Sequence, residues 1–314
     1  MNIAVIDLGT NTFNLLIFEQ STGKILYNGK IAVKLGKGGL AERKIQPDAY
    51  QRGLDAMQQH RATCLAYNAT KAYAFATSAV RSSTNGQQFA ADIERLTGIH
   101  INIIDGTTEA SIIYNGVKNS IPSLKKEKFL VMDIGGGSTE FIIGNSQKML
   151  WKQSYTIGGS RLIEVFKPHD PLEADEIGAI RQYVRDELED LFSACNVYHP
   201  EILIGSSGSF DTFADIVVRI QNQNIIPGNG FEFPKNILLE LLNTLLISNQ
   251  EQRLQMPGME PFRADTIHMS ALQLEIILHS IPSLKKILLS TFALKEGIMF
   301  QILNNQCTWQ ESSL

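Results

Sequence analysis

One strand, turn and strand pattern occurs twice in this chain, and it constrains the fold more than any other feature. Placing Asp7 on Asp133 aligns VIDLGTNTFNLLI with VMDIGGGSTEFII: acid falls on acid, Gly9 on Gly135 and Thr12 on Ser138, with apolar residues matched on both sides. Each copy leads into a further strand, Lys24 to Val33 in the first half and Lys148 to Tyr155 in the second, so each half opens with a meander. Such duplication implies two half-domains of common design. The 314 residues agree with two domains, at about 150 residues each.

Helical periodicity is expected at Pro47 to Tyr67, Asn85 to Leu96 and Gly106 to Val117, with strands at Ala72 to Ala76 and Ile101 to Ile104. The second half predicts helices at Pro171 to Ala194, Gly208 to Gln221, Phe233 to Ile247, Ala264 to Leu278 and Ala293 to Leu303, with strands at Ile202 to Ile204 and Ile287 to Leu289. Alternating helices and strands indicate an α/β fold. The heptapeptide SIPSLKK occurs at both 120–126 and 280–286. Two surface helix-to-strand linkers with similar geometric demands account for it.

The charge balance, 28 Lys plus Arg against 32 Asp plus Glu, leaves no global basic field to hold nucleic acid. A polyanionic ligand must therefore be captured by a local site. Cys64, Cys195 and Cys307 are far apart and form no CxxC pair, which argues against a disulfide framework or a zinc site and for a reducing compartment. MNIAVIDLGTN lacks a basic leader, and no run approaches the apolar length of a membrane span. A soluble, cytoplasmic protein with no membrane partner is expected.

The chemistry concentrates in turns. In DLGTNT an acid, Asp7, ends a strand, and Gly9, Thr10, Asn11 and Thr12 follow. This pattern brings backbone N–H groups to a concave turn suited to phosphate, although the same residues also make ordinary hairpin turns. DIGGGSTE is more specific: Gly135, Gly136 and Gly137 waste folding entropy unless the loop needs bare backbone, and Ser138 adds a hydroxyl. Asp133 and Glu140 flank that loop and repel one another beside an anion unless a divalent cation, Mg²⁺ by chemistry, bridges them. In IGSSGS, Ser207 and Gly208 open a helix, where amides and dipole suit an anion or serve as plain capping. The six histidines show no metal-ligand spacing. Arg263 and Asp265 read as an ion pair and cap at a helix start. Lys34 and Lys37, beside Gly36, Gly38 and Gly39, read as a solvated loop, with a basic path for a polyanion as the alternative.

IDLGTNTFNLLI, TSAVRSSTNG, IDGTTEASIIYNGV, MDIGGGSTEFIIG, IGSSGSFDTFA, MPGMEPFRADTIHMSA and STFALKEG together resemble the exopolyphosphatase and guanosine pentaphosphate phosphohydrolase family. The matches occur in the family's order over almost the whole chain. The resemblance implies the actin-like ATPase superfamily fold, in which two ribonuclease-H-like domains enclose a phosphate-binding cleft. The division implied is 1–121 and 122–314, with a C-terminal helix at about 294–314 packing back on the first domain. Glu109 takes the place of the carboxylate that activates water, although an acid in a helix's first turn is also stabilising by itself. Arg81 falls in the family's TSA-x-R segment, where a guanidinium holds phosphate oxygens. Asp133 and Glu140 match the metal-associated acids, and Asp7 assists through water.

Some positions depart from the family pattern. Thr108-Glu109 stands where paired acids are common, IGGSRL where LGAVRL is usual, and Lys295 where LREG has an arginine that forms bidentate bonds. The additional C-terminal domains of long family members, and with them processive binding, are not expected.

The reading is Mg²⁺-dependent hydrolysis of terminal phosphate from inorganic polyphosphate, with guanosine pentaphosphate (pppGpp) as the alternative substrate and a homodimer as the assembly the resemblance allows. An ATP-dependent small-molecule kinase and an inert alarmone-binding sensor are the competing classes.

Overall fold

The computed structural model describes all 314 residues and divides them into two compact units, Met1–Gly116 with Leu294–Leu314, and Val117–Ala293. The first unit opens with an antiparallel meander of β1 (Asn2–Leu8), β2 (Thr12–Glu19) and β3 (Ile25–Ala32). Helix α1 (Pro47–Ala66), with proline in its first turn, crosses to β4 (Ala69–Ala76), which lies parallel to β1. Parallel neighbours require such a crossover. Helices α2 (Ser78–Arg81) and α3 (Gly86–Thr97) return the chain to β5 (Ile101–Ile103), parallel to β4, and α4 (Gly106–Ser120) follows. β1 is buried along most of its length, whereas edge strand β3 exposes alternate residues.

The second unit repeats this plan. β6 (Phe129–Ile134), β7 (Thr139–Gly144) and β8 (Met149–Tyr155) form the meander. Helices α5 (Gly159–Phe166), α6 (Ala174–Glu187) and α7 (Glu189–Tyr198) lead to β9 (Ile202–Ser206) beside β6. Helices α8 (Ser207–Ile220), α9 (Lys235–Ile247), α10 (Gln250–Leu254) and α11 (Ile267–Ser280) then lead to β10 (Lys286–Ser290) beside β9. Its sheet order is β10-β9-β6-β7-β8, and β5-β4-β1-β2-β3 is the same order in the first unit. Both sheets therefore have the ribonuclease-H-like arrangement expected from the sequence.

The chain rejoins the first unit through α12 (Leu294–Leu303) and β11 (Ser312–Ser313), which pairs antiparallel with β4. A Cβ on Gly297 would lie 2.0 Å from the carbonyl oxygen of Ile112, so α12 meets the α4 backbone where only glycine fits. No helix is long and apolar enough to cross a membrane.

The expected helix over Pro171 to Ala194 is two. Leu188 leaves helical geometry (φ −101°, ψ 13°), and the break lets both Leu188 and Leu191 bury completely. Its start moves to Ala174, where Glu173 and Glu176 form a capping box. Likewise α11 starts at Ile267, after a short 3-10 turn at Pro261–Arg263. Helix α5 is masked in the sequence by Gly158 and Gly159, poor helix formers of which the site below requires the first.

The SIPSLKK copies lead into β6 and β10, the two parallel neighbours of β9. Each makes the same turn, Leu124 N–H to Ile121 O (3.1 Å) and Leu284 N–H to Ile281 O (3.2 Å). Equivalent entries to the two sides of one strand impose the shared geometry.

Candidate active site

In the first unit, β1 and β2 pair through the Gly9–Thr12 turn, placing Asp7 opposite Asn14. Gly9 N–H donates to Thr12 O at 3.1 Å, and a Cβ on Gly9 would sit 2.9 Å from that oxygen. The turn's carbonyls face the β3–α1 loop: Asn11 O accepts from Val33 and Lys34 N–H, and Thr10 O from Gly36 N–H. Asn14 Nδ2 donates to Asp7 Oδ2 at 3.0 Å, which orients the acid.

The second unit builds the same turn. Asp133 lies opposite Glu140, Gly135 N–H donates to Ser138 O at 3.0 Å, and a Cβ on Gly135 would again be 2.9 Å from the oxygen. Here the carbonyls of Gly135 and Gly136 accept from Gly159 and Arg161 N–H, and Gly137 O accepts from Arg161 Nε. A Cβ on Gly158 would lie 2.5 Å from Gly136. This explains Gly158, which IGGSRL shares with the usual LGAVRL: without a side chain it lets the start of α5 press against the triple-glycine turn, whereas a Cβ at the departing Gly159 would face Thr266 O at 3.3 Å. In both units the acceptor side of the turn is consumed internally, which biases what remains toward donors and hence toward an anion.

The units differ at one position. Unit one places an amide opposite its acid, whereas unit two places a second acid, with Asp133 6% and Glu140 1% exposed. Neutral hydroxyls support this pair, Ser206 Oγ donating to Asp133 Oδ2 (2.5 Å) and Ser154 Oγ to Glu140 Oε1 (2.7 Å). Directly opposed like charges are unfavourable without a counter-charge. Two carboxylates, an oxygen-only set, suit Mg²⁺, which takes one or two protein carboxylates and completes its shell with water and substrate phosphate. No cluster of three or more His, Cys, Asp or Glu side chains forms an all-protein cage. Sequence reasoning missed Ser206 and Ser154; their signal is position, at the end of β9 and opposite Glu140 on β8.

Ser207 and Gly208 begin α8. Ser207 adopts φ 66°, unusual for a residue with a β-carbon, and its hydroxyl donates to Ile134 O at 3.0 Å. Gly208 leaves room for the half-buried Arg263, whose Nη2 would be 1.6 Å from a Cβ there. Arg263 Nε lies 3.9 Å from Glu260 Oε2, and burial pulls its pKa below the usual arginine value.

Arg81 and Glu109 come together within the first unit. Arg81 closes the short α2 and Glu109 lies in the first turn of α4. Arg81 Nη1 donates to Glu109 Oε2 at 2.8 Å and to Ile104 O at 2.9 Å, with Glu109 buried. Asp105 fixes the start of α4: its carboxylate accepts from Thr107 Oγ1 (2.7 Å) and from Thr108 N–H and Oγ1 (both 2.8 Å). These bonds, the Thr107 hydroxyl foremost, hold the Asp105 carboxyl well below its usual range. Thr108, which replaces a family acid, thus acts as a partner of this cap. Lys295 Nζ pairs with the buried Glu296 at 2.8 Å.

Among curated proteins, a bifunctional 3-dehydroquinate synthase/phosphatase from Fusobacterium nucleatum is 33% identical over 284 residues, 84% of this chain and 41% of that protein. The chain therefore spans about two fifths of that relative's length. Exopolyphosphatase 2 from Mycobacterium tuberculosis is 28% identical over 286 residues, 87% of this chain and 88% of that protein. Among solved structures, an exopolyphosphatase from Cytophaga hutchinsonii is 36% identical with a TM-score of 0.94, covering 99% of this chain and 100% of that one. The model of the Ppx/GppA phosphatase family matches residues 16–306, and with the twin turns and the opposed acids Asp133 and Glu140 in place the chain belongs to that family.

Proposed function

We propose that this chain is an exopolyphosphatase, hydrolysing the terminal phosphoanhydride bond of inorganic polyphosphate with Mg²⁺ as the required cation. The observation that carries the reading is the Arg81–Glu109 pair, a buried carboxylate held 2.8 Å from a guanidinium at a helix start. The exopolyphosphatases similar to this chain support the choice of substrate.

In this reading the amides of Gly9–Thr12, Gly135–Ser138 and Ser207–Gly208 bind phosphate oxygens. Arg81 takes the terminal phosphoryl group, and in doing so exchanges its bond to Glu109 for one to substrate. Glu109 then accepts the proton of a water whose oxygen bonds to the terminal phosphorus. The bridging P–O bond breaks, and orthophosphate and a chain one unit shorter leave. Asp133 and Glu140 would hold Mg²⁺, which supplies neutralisation of phosphate charge, and Asp7, oriented by Asn14, assists through water. Positioning and charge stabilisation carry most of the acceleration in phosphoryl transfer. Cys64, Cys195 and Cys307 are free thiols, the state a reducing cytoplasm maintains.

Phosphate release from long-chain polyphosphate, pppGpp and ATP, each with Mg²⁺ and with EDTA, tests the proposal. Mg²⁺-dependent release from polyphosphate without an acceptor is expected. Preferred turnover of pppGpp replaces the polymer as substrate, and release from none of the three ends the hydrolase reading.

A further inference from the structure

The β3–α1 connection, residues 33–46, is long for a segment without regular structure, and ordered loops of this length are usually functional. It is stapled at both ends. Val33 and Lys34 N–H donate to Asn11 O (2.9 and 2.8 Å) and Gly36 N–H to Thr10 O (3.1 Å), so its first part backs the Gly9–Thr12 turn. Its last part is tied to the residues after Arg81: Thr84 N–H donates to Arg43 O (2.8 Å), and Ile45 and Asn85 exchange two bonds of 2.9 Å.

This rigid span carries Lys34, Lys37, Arg43 and Lys44 against the single carboxylate of Glu42, within a chain of net charge −4. Lys37, Arg43 and Lys44 are exposed. Lys34 (φ 48°) and Arg43 (φ 54°) both hold left-handed backbone that β-carbon-bearing residues avoid. A concentrated, pre-ordered set of cations on a loop bonded to a phosphate-suited turn favours an extended polyanion.

We infer that this loop is a track for the part of a linear polyphosphate chain beyond its terminal phosphoryl groups, with Lys37 and Lys44 setting the preference for long chains over short ones. The inference rests on the polyphosphatase reading and adds to it a determinant of chain length.

Equilibrium binding of fluorescently labelled long-chain polyphosphate to the full chain, across a KCl series, tests it directly. The double variant K37Q/K44Q is expected to bind roughly 5- to 20-fold more weakly at fixed salt, with the slope of log affinity against log salt shallower by about 1 to 2. K148Q/K235Q removes the same charge from exposed lysines of the second unit and is expected to match wild type. In turnover assays the KM of K37Q/K44Q should rise more for long polyphosphate than for tripolyphosphate. Wild-type binding and salt slope in K37Q/K44Q overturn the track. So does tighter binding of a single-stranded oligonucleotide that depends on the same lysines. If the wild type releases phosphate from no polyphosphate, the polyphosphatase reading fails instead, and the binding measurement still decides the role of the loop.

Discussion

Glu109→Gln separates chemistry from architecture at the Arg81–Glu109 pair. The substitution keeps the side chain's size and leaves an oxygen to accept from Arg81 Nη1, now 2.8 Å from Glu109 Oε2. What is lost is the charge. A hydrogen bond to an ionised group contributes about 1.5–3 kcal/mol and a neutral one about 0.5–1.5, so the stability cost is about 1 kcal/mol. In a chain of 314 residues that lowers Tm by roughly 1–2 °C. Loss of general-base assistance removes about 10² to 10⁴ from kcat, equivalent to roughly 3–5.5 kcal/mol of barrier. The catalytic effect thus exceeds the structural one and is measurable in the folded protein. Phosphate release gives kcat and KM, and circular dichroism gives Tm. The expected result is kcat down by two or more orders of magnitude with KM little changed, and a Tm within a few degrees of wild type. A kcat within about tenfold of wild type refutes the assignment of Glu109 as base.

Glu140→Gln turns the opposed acids of the second unit into the acid–amide arrangement of the first. Its Tm in EDTA should equal or exceed that of wild type, while the rise in Tm produced by Mg²⁺ should disappear; an undiminished Mg²⁺ shift rules out Glu140 as a ligand. Gly297→Ala places a methyl group 2.0 Å from Ile112 O and should destabilise the protein by about 1–3 kcal/mol in urea unfolding. An unchanged midpoint contradicts the tight α4–α12 contact. His268, desolvated by burial and lying near the Arg253 charge, is pushed down to about 3. Its unfolded form takes up a proton as pH falls below about 6.5 while the folded form resists, so stability contributed at neutral pH is lost between about 6.5 and 3. Urea titrations at several pH values should show this loss, and His268→Asn should flatten it. Equal slopes for both proteins remove His268 as the cause.

Much of the fold is legible in the sequence. The alignment of Asp7 on Asp133 anticipates two meanders that agree in register and in the 3.1 and 3.0 Å turn bonds. Strand and helix positions follow because their apolar periods are long and regular. The failures have local causes. Leu188 interrupts a helix that its sequence would continue, because burying it with Leu191 outweighs helical continuity. Helix α5 is masked by two glycines, of which Gly158 packs against the β6–β7 turn.

At the candidate site, residue type and order mark the turns, Asp133 and Glu140, while Arg81 and Glu109 stand out only through the family resemblance. Sequence alone does not say that Asp7 is held by Asn14 while Asp133 and Glu140 are supported by Ser206 and Ser154, since these depend on cross-strand register and on β9 running beside β6. Nor does it join Arg81 to Glu109, which belong to different helices.

What the chain encodes locally is therefore the repeated strand, turn and acid, because backbone geometry at Gly9 and Gly135 is dictated by residues a few positions away. What only the folded protein decides is which charges meet and how deeply they are buried. Those quantities arise from side chains delivered by separate elements, and electrostatic energy depends on distance and solvent exposure rather than on sequence separation.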